Sequence, residues 1–159
     1  MREVVFFLEE PSARAMLEGF LPKIMSDSIR CRFIVFEGKQ DLEKQMVKRM
    51  RGYRVPQARF VVLRDKDSED CRQVKKRLVG QCTEGLHPGS LVRVACHELE
   101  SWYLGDLAAV EAGLGVTGLA RQQHKTPYDK PDDLPAPARK LQSIAPAYQK
   151  VGGSRAIGP

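Results

Sequence analysis

From residue 3 to residue 112, short apolar runs alternate with segments in which apolar residues recur every three or four positions. Residues 3–8, Glu-Val-Val-Phe-Phe-Leu, are β-branched and aromatic with almost no polar interruption, the pattern of a strand buried on both faces of a parallel sheet. Pro11 stands near a helix start, and Ala15, Met16, Leu17, Phe20, Leu21 and Ile24 follow at helical spacing, predicting a helix bent or ended near Pro22. The unit then repeats. Residues 33–36 predict a second strand and 41–50 a helix with Leu42, Met46 and Met50 on one stripe; residues 60–63 predict a third strand and 69–79 a charged helix; residues 91–96 predict a fourth strand and 101–112 a fourth helix. Strands alternating with helices predict an α/β fold, a Rossmann-like, mostly parallel sheet flanked by helices.

After Gly113-Leu114-Gly115 the composition changes. Proline occurs at 127, 131, 135, 137 and 146, and the one helical pattern covers residues 136–144. The division expected is a core over 1–113 and an irregular, Pro-rich C-terminal extension over 114–159 packed on it. The final segment, 150–159, shows no pattern of a closing helix or strand, which points to a natural chain that continues further.

The chain has 159 residues, 42% hydrophobic and 29% charged, which is ordinary globular composition with room for one core. No apolar stretch approaches the ~18 residues of a membrane span. The amino end lacks the longer apolar region and cleavage site of a signal peptide, so the expected compartment is the cytoplasm. Cys31, Cys71, Cys82 and Cys96 form no Cys-x-x-Cys pair, and buried reduced thiols are expected. A net charge of +6 leans mildly towards polyanionic partners.

In an open parallel sheet, ligands bind beyond the carboxyl ends of the strands. Three of the four predicted strands end in acids: Glu9-Glu10, Asp65-Lys66-Asp67 and Glu98-Leu99-Glu100. If Asp65 and Asp67 are still extended, their two-residue spacing sets both carboxylates on the same side. Converging carboxylates repel one another unless a cation sits among them, and oxygen-only ligands imply a hard cation, Mg²⁺ or Mn²⁺. The plainer reading has Asp67 and Ser68 capping a helix and Glu9 and Glu10 at the positive end of a helix dipole, with Arg14, Arg64 and Lys66 neutralising part of the cluster.

A hydrophobic strand ending in Glu, Phe6-Phe7-Leu8-Glu9, followed by a strand ending in Asp-x-Asp, Leu63-Arg64-Asp65-Lys66-Asp67, resembles the Toprim domain. Glu98-Leu99-Glu100-Ser101-Trp102 resembles the acid-plus-tryptophan segment of small prokaryotic Toprim families related to the OLD and RloB nucleases. The resemblance implies a Toprim-like fold. It implies Glu9 as general acid/base or metal-binding glutamate, Asp65 and Asp67 as metal ligands, and Glu100, with Glu98 second, as the additional acid. Lys150 is similar to a lysine that stabilises phosphate charge in the OLD-like nucleases, the plainer alternative being a solvated lysine on a tail. Toprim proteins usually carry Gly after the first Glu, whereas this chain has Glu10, either a further carboxylate at the metal or a sign of an altered site. The partners implied are nucleic acid and a separate AAA- or ABC-type ATPase of a phage-defence system, since no Gly-x-x-x-x-Gly-Lys-Ser/Thr loop is present; a homodimer is left open.

Among the remaining residues, His97 lies between the acids and Trp102 and Tyr103 have rings able to stack on a base, although packing is the commoner use of each. Lys44, Lys48 and Arg51 on one helix, and Lys75 and Lys76 on the next, could track a phosphate backbone or simply face solvent. The leading expectation is a Mg²⁺-dependent nuclease. The alternatives are a non-catalytic subunit, binding nucleic acid or an ATPase, with a structural or regulatory metal site, and a receiver-like phosphoacceptor.

Overall fold

The structure, a computed structural model, describes residues 2–158. The element order is β1 (Arg2–Leu8), α1 (Pro11–Ile24), β2 (Ile29–Val35), α2 (Lys39–Arg51), β3 (Arg59–Asp65), α3 (Cys71–Glu84), β4 (Leu91–Ala95), α4 (Glu100–Leu104), α5 (Leu107–Leu114), α6 (Pro137–Ile144) and α7 (Lys150–Ile157). Short 3₁₀ turns cover Ala120–Gln122 and Pro131–Asp133. The four strands are all parallel in the order β2-β1-β3-β4, giving a Rossmann-like α/β fold.

Period-two alternation along β1 and β3 divides the apolar interior in two. Val5, Phe7, Phe60 and Val62 face α2 and α3 and pack with Leu42, Met46, Met50, Val74 and Leu78. Phe6, Leu8 and Leu63 face the opposite way and pack with Leu17 of α1, Leu104, Leu107, Leu141 and Ile157. The chain leaves β1 towards β2 on one side and returns to β3 on the other, so the order reverses between β1 and β3. A crevice opens beyond their carboxyl ends at such a switch point.

The helix after β1 ends at Ile24, just past Pro22 as expected, and the Met25 N–H reaches the Leu21 carbonyl at 2.8 Å. Two local expectations are corrected. The fourth predicted helix is two, α4 and α5, parted at Gly105-Asp106, where the Asp106 carboxylate accepts the Ala109 N–H at 3.0 Å and caps α5. The segment 150–159, expected to lack a closing element, contains α7. Its Gly152-Gly153 pair hides a helix that tertiary packing supports, with Ser154 and Ile157 buried. α7 lies against α1 and α5, and a Cβ at Gly113 of α5 would run into the main chain of Ala156 and Ile157.

The thiols also differ from expectation. Cys82 is buried, while Cys31, Cys71 and Cys96 are each partly exposed, and all four are free. The stretch 114–158 contributes Leu119, Tyr128, Leu134, Leu141, Ala145, Tyr148 and Ile157 to the same apolar cluster as Phe6 and Leu8. No helix among the described residues is long and apolar enough to cross a membrane.

Because that stretch covers one face of β1 and β3, a chain cut after residue 113 should lose its cooperative urea transition and bind a hydrophobic dye. Leu141→Ala, at a fully buried position, should cost about 2–5 kcal/mol in the full chain by the same denaturation measurement.

Candidate active site

Four carboxylates from three elements meet at the β1/β3 switch point. Glu9 follows β1, and its Oε2 accepts the main-chain N–H of Asp65 at 2.9 Å, locking the two strand ends together. Glu10 caps no backbone; its Oε1 accepts the hydroxyl of the buried Ser12 at 2.8 Å and its Oε2 pairs with Lys150 Nζ at 2.7 Å. Asp65 ends β3 with the parity of Leu63, so it points to the α4 and α7 side and is only 8% exposed. Glu100 opens α4 and is fully buried; its Oε1 accepts the Tyr148 hydroxyl at 2.9 Å, while its Oε2 has no hydrogen-bond partner among the described residues. The Tyr148 ring occupies the space a Cβ on Gly153 would need, so glycine at that place in α7 lets the phenol reach Glu100. The buried hydroxyl of Tyr103 is likewise unpartnered.

Burial and mutual repulsion show in the acidities. Burial first, then the charges of Glu10, Glu9 and Glu100, push Asp65 from 3.8 up to about 8. Burial raises Glu9, against the opposing Asp65 N–H. Burial also raises Glu100, although the Tyr148 hydroxyl and Lys150 pull the other way. At Lys150 burial disfavours the charge, but Glu10, with Glu100 and Asp65 behind it, prevails and lifts the ammonium above its ordinary value.

Asp67 does not join Asp65. The chain turns at Asp67, whose φ is +54°, and its carboxylate meets Lys39 Nζ of α2 at 2.8 Å, while its charge still helps to raise Glu9. His97, with φ of +60°, makes the matching turn after β4, and the Asp67 N–H donates to its carbonyl at 2.8 Å. Two non-glycine residues in the left-handed region on adjacent strand ends are the kind of strain that collects at functional loops. Glu98 is also diverted: its Oε2 accepts the Ala138 N–H at 3.0 Å in the first turn of α6. Of the two candidates in that segment, Glu100 is the one inside the cluster.

The cations differ in part from those the sequence suggested. Arg14 pairs with Glu18 on the surface, and Arg64 is buried on the opposite sheet face against Glu43 and Glu69. Lys150 is exposed at the rim of the acids, where it pairs with Glu10, and Lys39 holds Asp67. Lys39 was findable, since it follows Phe36-Glu37-Gly38 at the one strand end without a candidate, whereas nothing in sequence marks Tyr148, Tyr103 or Ser12 as neighbours of Glu100 and Glu10. Lys44, Lys48, Arg51, Lys75 and Lys76 are exposed on α2 and α3, apart from the carboxylates; Arg51 Nε donates to the Glu84 carbonyl at 2.8 Å. Trp102 is 38% exposed beside the site.

A family model described as a domain of unknown function, DUF4276, matches residues 8–158, which include all four carboxylates and Lys150. The chain belongs to the DUF4276 family. No curated protein and no solved structure matches it.

In this DUF4276 chain, no three His, Cys, Asp or Glu side chains among the described residues are gathered into a ready metal-ligand group. The chemistry of the donors nonetheless fits a hard cation: the site is oxygen-only, three of its acids are raised, and the buried Glu100 Oε2 lacks a partner. Glu10 is engaged by Ser12 and Lys150.

A raised carboxyl destabilises the fold once the unfolded form ionises. Asp65 is protonated when folded and ionised when unfolded between about pH 4 and pH 8, so its contribution falls as pH rises through that window and is level above it. Asp65→Asn should therefore melt higher than the wild type at pH 8 without divalent cations, by about 2–4 kcal/mol, with the two curves converging towards pH 4. Thermal melts across that range check it.

Proposed function

We propose that the DUF4276 chain is a divalent-cation-dependent nuclease whose site is the cluster Glu9, Glu10, Asp65, Glu100 and Lys150. The observation that carries the reading is Asp65, a buried carboxyl raised to about 8 by burial and by three neighbouring acids, with a cationic lysine at the rim. Such an arrangement costs stability, and costs of this kind concentrate where chemistry needs them. It is also the arrangement that the resemblance to Toprim nucleases implies for Glu9, Asp65, Glu100 and Lys150. Asp67 would act through Lys39 and the loop rather than as a direct ligand.

Mg²⁺ or Mn²⁺, held by Glu9, Asp65 and Glu100, would supply Lewis-acid activation of water and of phosphate oxygens. The chain's own residues do the rest. Lys150 offers its ammonium to a phosphate oxygen that competes with Glu10 for it, and Glu10, once released, is a carboxylate beside the reacting centre able to take a proton. Tyr148 keeps Glu100 oriented through its hydroxyl. Exposed Lys44, Lys48, Arg51, Lys75 and Lys76 would add salt-sensitive attraction to the nucleic-acid backbone. The proposed setting is the cytoplasm, with a separate AAA- or ABC-type ATPase as partner.

A second reading, a non-catalytic binding subunit, draws on the pairing of Glu10 with Lys150 and of Asp67 with Lys39, which neutralises part of the acid edge without a cation.

Plasmid DNA and total tRNA, incubated with the purified chain and Mg²⁺ or Mn²⁺, distinguish the two. Cleavage that falls about 100-fold or more in Asp65→Asn and in Glu9→Gln is the expected result. Cleavage unchanged in Asp65→Asn would remove the assignment, and a cation-induced rise in melting temperature without any cleavage would favour the binding subunit.

A further inference from the structure

The β2 edge of the sheet is open. No strand among the described residues pairs with its outer side, although β2 is seven residues long and extended throughout. Unpaired edges of that length template the addition of another strand.

Its main-chain groups are placed for this. The Phe36 N–H, just past the end of β2, donates inward to the Leu8 carbonyl at 2.9 Å. Main-chain groups alternate along an extended strand, so those of Cys31, Phe33 and Val35 face outward.

The two faces beside this edge differ in chemistry. On the α1 side, Ile29, Cys31 and Phe33 line an apolar groove of about 410 Å³ with Leu17, Leu21, Pro22 and Met25. Two acids, Glu18 and Asp27, also line it, and Glu18 is occupied by Arg14 and Arg155. On the α2 side, Arg32 and Ile34 line a second groove of about 410 Å³ with Gln45, Lys48, Arg49 and Tyr53. Arg30, exposed and of the same parity as Arg32, extends this basic face, and the Arg32 guanidinium lies 5.9 Å from the Tyr53 ring centre.

We infer that the β2 edge receives an extended segment of another protein that alternates apolar and acidic residues. Each added residue of one parity enters the apolar groove, and each of the other meets Arg30, Arg32, Lys48 or Arg49. Charge selects this occupant over a second copy of the chain, because antiparallel self-pairing of β2 about its centre sets Arg32 against Arg32. The surface is separate from the carboxylate cluster, so the inference stands whatever that cluster does.

The test uses a fluorescein-labelled synthetic peptide of alternating valine and glutamate, beside a control of the same composition with its valines and glutamates in two blocks. The alternating peptide should bind the full chain, lose about tenfold or more in affinity against Arg30→Glu/Arg32→Glu, and protect the Cys31, Phe33 and Val35 amides from hydrogen exchange. A valine–lysine peptide should prefer the charge-reversed variant, which keeps the outcome independent of any loss of fold. No binding at ~1 mM peptide, or equal binding of the block peptide, would overturn the inference. Tighter protection of the same amides by a single-stranded oligonucleotide, or a dimer of the free chain that Phe33→Pro dissolves, would do so too.

Discussion

β1 has no solvent face. Val5 and Phe7 are wholly buried on one side, and Phe6 and Leu8 are buried on the other. A strand so composed needs a helical layer on each face, and the order of elements up to β4 supplies only α1 for one of them, because α2 and α3 share the other. The second layer is completed by everything that follows β4. The stretch after residue 113 is therefore part of the fold's interior, and its irregular path is what remains after its apolar side chains have been placed over Phe6, Leu8 and Leu63.

Two adjacent residues at the end of β3 show how differently the fold treats buried charge. Arg64 points to the α2 and α3 side, fully buried, and is met by Glu43 and Glu69, which in turn share Arg77. Asp65 points the other way and is met by more acids. Exposed ion pairs contribute about 0–1 kcal/mol each, whereas a buried charge without compensation costs several. Arg64 is thus met by opposite charges, although its Nε and one terminal nitrogen have no hydrogen-bond partner among the described residues, while Asp65 is met by like charges; the functional reading rests on that difference in sign.

The strands and the strand-end acids were legible because short apolar runs have one stable use in an α/β chain; Glu9 and Asp65 follow directly from where those runs stop, whereas the preference for Glu100 over Glu98 came from the Toprim resemblance. Asp67 and Glu98 were not legible. Their placement depends on a left-handed turn at Asp67 and on an N–H at Ala138, forty residues further along, and neither leaves a mark in local composition. α7 was hidden by Gly152 and Gly153, which lower helix propensity, although packing against Tyr148 requires glycine only at 153. The Lys150 position follows from α7, so local pattern did not point to it and only the Toprim resemblance did.

Glu9 and Lys150 are far apart in sequence, yet both belong to one small group of charges. During synthesis, Glu9, Glu10, Asp65 and Glu100 leave the ribosome long before the lysine that offsets them and the tyrosine that orients Glu100. The acids gain Lys150 only when α7 is packed on α1. Contacts this distant in sequence form late and slowly. Assembly of the carboxylate group is thereby tied to completion of the fold, and an unfinished chain holds its acids without their counter-charge.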